Sequence, residues 1–277
     1  MTDRIAFQGE PGANSHIACR DVYPALEPLA CATFQDAFAA VSEGQAKLAM
    51  IPVENSLAGR VADVHHLIPE SGLFIIGEHF TPIRHQLLGV KGARLDEVRE
   101  VRSHPQALGQ CRNVLRKLGL RPVSAVDTAG AAREIAELGD PKIAALASTL
   151  AGEIYGLKVL MPDMADAAHN TTRFLVFSRQ AQTPEAGACM TSFVFRVRNV
   201  PAALYKALGG FATNGVNMTK LESYLEGGSF SAAMFYAEIE GRPEDPSVDR
   251  AMEELKFFSA SLDILGAYPA ASFRGED

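Results

Sequence analysis

The strongest constraint on the fold is a regular alternation of short apolar segments with amphipathic ones. Residues 47–55, KLAMIPVEN, are typical of a buried strand, whereas residues 34–46 carry apolar side chains at helical spacing. Further along, similar apolar segments are separated by helix-like segments of about 10 to 15 residues, which predicts β-α-β units and a mostly parallel sheet. Parallel sheets bind ligands beyond the carboxyl ends of their strands, so a site is expected in the turns after the strands.

Two segments depart from this alternation. Residues 73–90, LFIIGEHFTPIRHQLLGV, form a long apolar stretch broken at Pro82, which predicts a strand that crosses from one lobe to another. The polar segment 179–188, RQAQTPEAGA, predicts a linker. Beyond it the pattern predicts the element order β-α-β-β-α-β over about 80 residues, which is the ferredoxin-like unit.

The charge and hydropathy of the chain argue against nucleic acid and membranes as binding partners. The 277 residues include 26 Lys and Arg against 33 Asp and Glu, a net charge of −7, which argues against a broad nucleic-acid-binding surface. No apolar run approaches the roughly 18 to 20 residues that a membrane-spanning helix needs. The N-terminus reaches a glycine turn without an apolar leader, so a cytoplasmic protein is expected.

Four cysteines are scattered through the chain, without a CxxC pair and without the spacing to histidine that a metal site needs. In a reducing compartment such cysteines are expected to fill small gaps in the core. They are Cys19, Cys31, Cys111 and Cys189.

Four polar turns follow predicted strands. The first leads into a helix that Asn14 or Ser15 is expected to open, and exposed N–H groups at a helix start favour an anion. In the second, Glu54 and Asn55 follow an apolar strand directly. In the third, Pro105 suits the first turn of a helix. The turns are GEPGANS (9–15), PVENSLAGR (52–60), SHPQALGQC (103–111) and NTTRF (170–174).

The residues of these turns offer hydrogen-bond donors to an anionic ligand. Arg173 presents a planar fork of donors suited to a carboxylate, and Thr172 adds a hydroxyl beside it. Glu54 is the one carboxylate that is well placed among these groups. His104 is a candidate general base, although a histidine beside a helix start is more often a cap or a surface residue. The turns together predict a site that is rich in neutral donors.

In their order and approximate spacing, the four turns resemble those of prephenate dehydratase, and residues 190–270 resemble the regulatory ACT domain of that family. The resemblance implies an α/β fold, in which a two-lobed catalytic domain like the periplasmic binding proteins is followed by a ferredoxin-like ACT domain. The implied boundaries are 1–180 for the catalytic domain (lobe 1 at 1–80 plus 170–180, lobe 2 at 81–169), 181–189 for a linker and 190–277 for the ACT domain.

The resemblance also implies the reaction. Members of the family are carbon-oxygen lyases that convert prephenate to phenylpyruvate, with loss of water and carbon dioxide and without a cofactor. Catalysis is implied for Thr172, whose hydroxyl would help the ring hydroxyl to depart, and for Glu54, which would supply a proton if it were buried. The implied substrate-binding residues are Arg173, Asn55, Ser103, Gln110, Ser15 and Phe174.

ACT domains of this family bind phenylalanine through a GAL turn and an ESRP motif. Here the first is PAAL, with Ala202 in place of glycine, and the second is ESYL, with Tyr224 and Leu225 in place of arginine and proline. These departures leave feedback by phenylalanine open. Pairing of ACT domains implies a homodimer or a homotetramer. The implied phenylalanine-binding residues are Ala203, Leu204, Asn217, Glu222 and Ser223.

Two other functions stay open on the sequence. Arogenate has an amino group where prephenate has a keto group, so an arogenate dehydratase fits the same residues. A non-catalytic module that binds an aromatic acid fits the two-lobed fold. Formation of phenylpyruvate from prephenate or arogenate, with and without phenylalanine, separates these alternatives.

Overall fold

The computed structural model describes residues 3–167, 169–198, 200–225 and 232–275. The chain forms two compact units, Met1–Val64 with His79–Phe174 and His65–Glu78 with Leu175–Asp277. Three sheets and the helices between their strands make the fold mixed α/β, which confirms the predicted class. No helix in the described ranges has both the length and the apolar character to span a membrane. The division into lobes, linker and ACT domain stays a prediction.

Strands and helices alternate through residue 178, as predicted. In chain order they are β1 (Arg4–Gln8), α1 (Asn14–Val22), β2 (Glu27–Cys31), α2 (Phe34–Ser42), β3 (Leu48–Asn55), β4 (Gly59–Arg60), α3 (Ala62–Leu67), β5 (Phe74–Pro82), β6 (Gln86–Gly89), β7 (Glu100–Ser103), α4 (Pro105–Gln110), α5 (Arg112–Lys117), β8 (Arg121–Ser124), α6 (Thr128–Leu138), β9 (Ile143–Ala147), α7 (Thr149–Tyr155), β10 (Lys158–Met161) and β11 (Thr171–Ser178). A short 3-10 turn, Leu95–Glu97, precedes β7.

These strands build two sheets. The first has the order β2-β1-β3-β11-β5, with β4 paired to β3, and β1 runs parallel to both β2 and β3. The second has the order β10-β6-β9-β7-β8, in which β7 is parallel to β8 and β9 while β6 is antiparallel to its neighbours. The long apolar stretch is divided between the sheets, because β5 ends at Pro82 and β6 begins at Gln86. The chain returns to the first sheet with β11.

Helices cover both faces of the second sheet, and the residues of β9 show how. Ala144 and Leu146 pack with residues of α4 and α5, whereas Ala145 and Ala147 pack with residues of α6 and α7. Because successive side chains of a strand point to opposite faces, a strand covered on both sides is apolar throughout. This packing fixes the strand ends from which the polar turns emerge.

The cysteines behave as packing groups, as predicted. Cys19, Cys111 and Cys189 are buried, Cys31 is half-buried, and all four are free thiols. Burial raises the pKa of Cys19 and of Cys111 to about 12. These two thiols are therefore protonated at neutral pH and unreactive.

The remaining strands form a four-stranded antiparallel sheet. In chain order the elements are β12 (Cys189–Val197), α8 (Ala203–Thr213), β13 (Met218–Leu225), β14 (Ala232–Glu240), α9 (Pro246–Phe258), β15 (Ser259–Pro269) and a 3-10 turn, Ser272–Gly275. The elements follow the order β-α-β-β-α-β, and the strands lie in the order β13-β14-β12-β15. One face of this sheet packs on α8 and α9 through the rings of Phe193, Phe195, Phe211 and Phe235.

The opposite face of this sheet carries a buried polar cluster. Arg274 donates to both carboxylate oxygens of Glu78, at 2.6 and 2.9 Å, and its Nη2 lies 3.4 Å from Glu238. Tyr236 donates to the other oxygen of Glu238 at 2.6 Å. Because the side chains of Glu78 and Glu238 are 0% and 1% exposed, the guanidinium compensates charge that water cannot reach.

Candidate active site

Three of the four predicted polar turns, together with His85, contribute five hydrogen-bonded side chains, which we call the amide network. Asn55 Nδ2, at the end of β3, lies 3.0 Å from Thr172 Oγ1 and 2.8 Å from Asn170 Oδ1. Asn170 Nδ2 lies 2.9 Å from Gln110 Oε1, and His85 Nε2 lies 2.8 Å from the same oxygen. Gln110 is half-buried and the other four residues are buried. The structure thus brings together three residues predicted from the sequence: Asn55, Gln110 and Thr172.

Main-chain donors fix the direction of these hydrogen bonds. The N–H groups of Leu57 and Ala58 donate to Asn55 Oδ1, at 3.1 and 3.0 Å, so the NH2 group of Asn55 faces Thr172. An amide NH2 group only donates, so Thr172 Oγ1 accepts from Asn55 and keeps its own proton. Among the described residues, the Thr172 hydroxyl donates to none. This proton is therefore left for a ligand.

Two hydrogen bonds between Ser56 and Thr171 hold the end of β3 against the start of β11. The Ser56 N–H donates to the Thr171 carbonyl at 2.9 Å, and the Thr171 N–H donates to the Ser56 hydroxyl at 3.0 Å. Asn55 and Thr172 are the neighbours of these two residues in sequence. Their side chains are therefore carried by backbone that is fixed on both strands, which favours a rigid site.

Arg173 and Glu54 form an ion pair. Arg173 Nη1 lies 3.9 Å from Glu54 Oε2, and the guanidinium lies 5.9 Å from the centre of the Phe80 ring, which is a cation–π distance. The Arg173 side chain is 6% exposed, whereas that of Glu54 is 41% exposed. Glu54 was expected to supply a proton only if it were buried, and the structure does not meet this condition. In this ion pair Glu54 is placed to orient the guanidinium of Arg173. The catalytic role of Glu54 stays a prediction.

Three further predicted site residues belong neither to the amide network nor to the ion pair of Arg173 and Glu54. Ser103 is fully buried at the end of β7, where its hydroxyl donates to the Leu146 carbonyl of β9 at 2.6 Å. Phe174 is 1% exposed and packs within β11 as a core residue. Ser15 is buried in the first turn of α1. The contacts of Ser103 and Phe174 are structural here, and substrate contacts of all three residues stay predictions.

The glycine turn after β1 packs against α6 and α7. Gly12 has a φ of +95°, and a Cβ placed on it would lie 2.6 Å from the Cα of Ala151. The Ser148 hydroxyl donates to the Gly12 carbonyl at 2.6 Å. Glu10 accepts two hydrogen bonds from Arg133, at 2.9 and 3.1 Å. The turn thus joins helices of the second sheet, and its expected anion-binding role stays a prediction.

Two members of the amide network, Asn170 and His85, are not among the residues predicted from the sequence. Asn170 begins the NTTRF segment, which was predicted as a turn but lies in β11 from Thr171 onward. Its position beside Thr172 is the signal that would find it. His85 follows the strand break at Pro82, and nothing else in the sequence distinguishes it. His104, in contrast, caps α4 by accepting from the Gln106 N–H at 3.2 Å, which agrees with the more frequent role of such a histidine.

The chemistry that this arrangement supports is hydrogen bonding by neutral groups. The amide network contains three amides, a hydroxyl and an imidazole, and the charged pair of Glu54 and Arg173 lies next to it in sequence. Within the part of the chain that the structure describes, no group of three or more His, Cys, Asp or Glu side chains is placed to hold a metal ion. Fixed neutral donors stabilise negative charge as it develops on an oxygen.

Comparison with known proteins places this arrangement in a family. A model of the prephenate dehydratase family matches residues 5–182. The chain belongs to the prephenate dehydratase family. The match runs from β1 to β11 and so contains all of the amide network. Prephenate dehydratases are carbon-oxygen lyases, which confirms the predicted enzyme class.

Individual relatives extend the likeness over almost the whole chain. A bifunctional N-acyl-homoserine lactone acylase/prephenate dehydratase of Komagataeibacter europaeus is 53% identical over 272 residues, 98% of this chain and 97% of that protein. Arogenate dehydratase/prephenate dehydratase 2 of Arabidopsis thaliana, a chloroplastic protein, is 38% identical over 276 residues, 96% of this chain and 72% of that protein. The crystal structure of prephenate dehydratase from Arthrobacter aurescens in complex with L-Phe has a TM-score of 0.89 at 29% identity, covering 97% of this chain and 90% of that one.

Proposed function

We propose that this protein catalyses the decarboxylative dehydration of prephenate to phenylpyruvate, a step of L-phenylalanine biosynthesis. The observation that carries the proposal is the Thr172 hydroxyl, which accepts from Asn55 and keeps its proton for a ligand. Membership of the family supplies the reaction, and the amide network supplies a donor of the kind that the reaction needs.

The reaction needs this donor at the departing oxygen. Prephenate carries a carboxylate and a hydroxyl on opposite ring carbons. When the bond to the carboxylate breaks, its electron pair enters the ring and carbon dioxide leaves. The C–O bond breaks with it, and the departing hydroxide becomes water by taking up a proton that comes in the end from the solvent. Because formation of the aromatic ring drives the step, the enzyme has to stabilise only the charge that develops on this oxygen, which a donor within about 3 Å does.

Arg173 is proposed to bind the pyruvyl carboxylate of the substrate. A guanidinium and a carboxylate form paired, charge-assisted hydrogen bonds. Firm binding of the ring carboxylate would oppose its loss as carbon dioxide, because an interaction stronger in the ground state than in the transition state slows the reaction. The pyruvyl carboxylate does not react, so it is the better partner.

Two substitutions at Thr172 test the proposal. Thr172→Val keeps the shape of the side chain and removes the hydroxyl, whereas Thr172→Ser keeps the hydroxyl. We expect Thr172→Val to lower kcat about 10²- to 10³-fold, as loss of one fixed donor does, and Thr172→Ser to retain most of the activity. The absorbance of phenylpyruvate measures both. A kcat for Thr172→Val close to that of the wild type would refute the assigned role.

The substrate has to be tested among three compounds. The Arabidopsis relative is named as an arogenate and prephenate dehydratase, so both acids are assayed in parallel. The Komagataeibacter relative is also named as an N-acyl-homoserine lactone acylase, which makes acylase activity a second candidate function. Release of homoserine lactone is measured for the wild type and for Thr172→Val. An acylase activity that survives this substitution would belong to chemistry other than that of Thr172.

We also propose that residues 190–277 form an ACT domain that binds L-phenylalanine. Two observations support this: the element order β-α-β-β-α-β, and the L-Phe complex of the Arthrobacter relative. The predicted ligand residues occupy two places, the first turn of α8 and the segment from 217 through the middle of β13. They are Ala203, Leu204, Asn217, Glu222 and Ser223.

Two of the three departures from the ACT motifs, Ala202 and Tyr224, have structural counterparts. Ala202, in the place of glycine, adopts a φ of +63° at the N-cap of α8. Tyr224, in the place of arginine, is 3% exposed, and its hydroxyl lies 3.1 Å from His65 Nδ1. Tyr224 thus makes an internal contact where the motif has a charged group. Titration calorimetry with millimolar phenylalanine tests the proposal, and a flat trace would reject it. A cytoplasmic dimer or tetramer stays a prediction, to be tested by fractionation and sedimentation.

A further inference from the structure

We propose that His85 is a positioning residue of the active site. Its Nε2–H group holds the side-chain carbonyl of Gln110, so that the NH2 group of Gln110 is presented to a carboxylate of the substrate. The inference rests on the proposed function, and it adds to Thr172 and Arg173 a residue that acts through another side chain.

The tautomer of His85 follows from the main-chain donors at the other end of the amide network. Because two main-chain N–H groups hold Asn55 Oδ1, the NH2 group of Asn55 faces Asn170, whose Oδ1 must accept. The NH2 group of Asn170 therefore faces Gln110, whose Oε1 must accept. This oxygen lies 2.8 Å from His85 Nε2, so Nε2 carries a proton.

His85 acts as a neutral donor. The residue is 4% exposed. Burial lowers its pKa, and the hydrogen bond to Gln110 opposes this shift only in part. At neutral pH the ring is therefore uncharged and has a single N–H group, which the amide network places on Nε2. His85 orients Gln110 by hydrogen bonding and not by charge.

Two donors converge on Gln110 Oε1 and leave the NH2 group of Gln110 unused. This group donates to no residue in the described ranges, and the side chain is only half-buried. Hydrogen bonds from such a group to a carboxylate are charge-assisted. If the amide turned over, its oxygen would face the carboxylate and the interaction would become repulsive. Asn170 opposes that rotation with one bond, and His85 adds the second.

Loss of the His85 donor should raise KM more than it lowers kcat. His85→Leu removes the donor, whereas His85→Gln keeps an NH2 group at about the reach of Nε2. We expect His85→Leu to raise KM for prephenate about tenfold, as loss of one charge-assisted hydrogen bond does. The kcat should change much less, because Asn55 orients Thr172 through main-chain donors that do not involve His85. His85→Gln should restore KM.

A double-mutant cycle tests whether His85 acts through Gln110. In a Gln110→Leu background there is no amide to orient, so His85→Leu should leave KM unchanged. Additive effects, or an unchanged KM in His85→Leu alone, would overturn the proposal. His79→Leu replaces a half-buried histidine outside the amide network and is the control, with KM expected at the wild-type value. If circular dichroism shows that His85→Leu is unfolded, His85→Asn replaces it, because its shorter amide does not reach Gln110.

Binding without turnover separates this proposal from the proposed function. Calorimetry of prephenate with Thr172→Val protein, with and without His85→Leu, makes the same comparison in the absence of chemistry. Weaker binding in the double variant would support the positioning role even if the wild type formed no phenylpyruvate, a result that refutes only the proposed function. Turnover with an unchanged KM in His85→Leu would refute only the positioning role. A wild type that neither binds nor converts prephenate would refute both.

Discussion

Gly12 is a position at which a single methyl group should disturb the fold in two ways, through a backbone clash and through backbone conformation. Gly12→Ala places a Cβ 2.6 Å from the Cα and 3.0 Å from the main-chain nitrogen of Ala151. These atoms belong to the backbone of α7, so no side-chain rotation relieves the overlap. The φ of +95° adds a second penalty, because residues with a Cβ rarely adopt it.

The two penalties can be estimated separately. A left-handed conformation costs an L-residue about 1–2 kcal/mol. Overpacking in a tight contact costs about 1–3 kcal/mol. Gly12→Ala should therefore lower the free energy of unfolding by about 2–5 kcal/mol, a large part of the roughly 5–15 kcal/mol that a folded domain has.

A matched glycine isolates the steric part. Gly139 ends α6 with a φ of +70°, and a Cβ placed on it meets nothing within 4 Å. Gly139→Ala should therefore cost only the conformational part. Urea unfolding followed by circular dichroism measures both variants, since the sequence has no tryptophan. Equal losses for Gly12→Ala and Gly139→Ala would show that the turn does not approach α7 as closely as the structure indicates.

Two further predictions concern stability. Ala202→Gly should raise the free energy of unfolding by about 1 kcal/mol, because glycine adopts the φ of +63° without strain. Urea unfolding measures this change, and a lower free energy of unfolding for the variant would contradict the prediction. Burial lowers the pKa values of His16, His79 and His85, so below about pH 6.5 the unfolded chain takes up protons before the folded one. Stability should therefore fall from pH 7.5 to 5.5, by at most about 1.4 kcal/mol per pH unit for each histidine, and His85→Gln should reduce the slope. Urea unfolding at several pH values over this range measures the effect. A free energy of unfolding that did not change with pH would contradict the prediction.

The alternation of strands and helices was predictable because it depends on local pattern. The apolar run 47–55 became β3, and the break at Pro82 became the end of β5. Helix starts were less predictable. Asn14 and Ser15 are good caps by residue type, yet the N-cap of α1 is Ala13, without a side-chain cap. The turn before this helix packs against α7 through Gly12, a contact that no local pattern contains.

The site was predictable in part for the same reason. The rule that ligands bind beyond the carboxyl ends of parallel strands pointed to the turn after β3, where Asn55 lies, whereas the polar residues of the other predicted turns pointed to Gln110 and Thr172. The structure joins these three residues, although Thr172 lies at the start of β11 and not beyond the end of a strand. The rule could not predict the hydrogen-bond partner of each of these side chains. Ser103 also ends a strand, but its hydroxyl is bound to the Leu146 carbonyl, and a partner 43 residues away has no local signature. His85 enters the site through one such distant contact, with Gln110.

The two main-chain N–H groups that hold Asn55 give the site an unusual robustness. Side-chain substitutions at Leu57 and Ala58 leave these N–H groups in place, with proline as the exception. The path of the backbone therefore determines that the Thr172 hydroxyl accepts from Asn55. Substitutions elsewhere in the site can change how tightly a substrate is held, but Thr172 will accept from Asn55 for as long as the turn after β3 keeps its course.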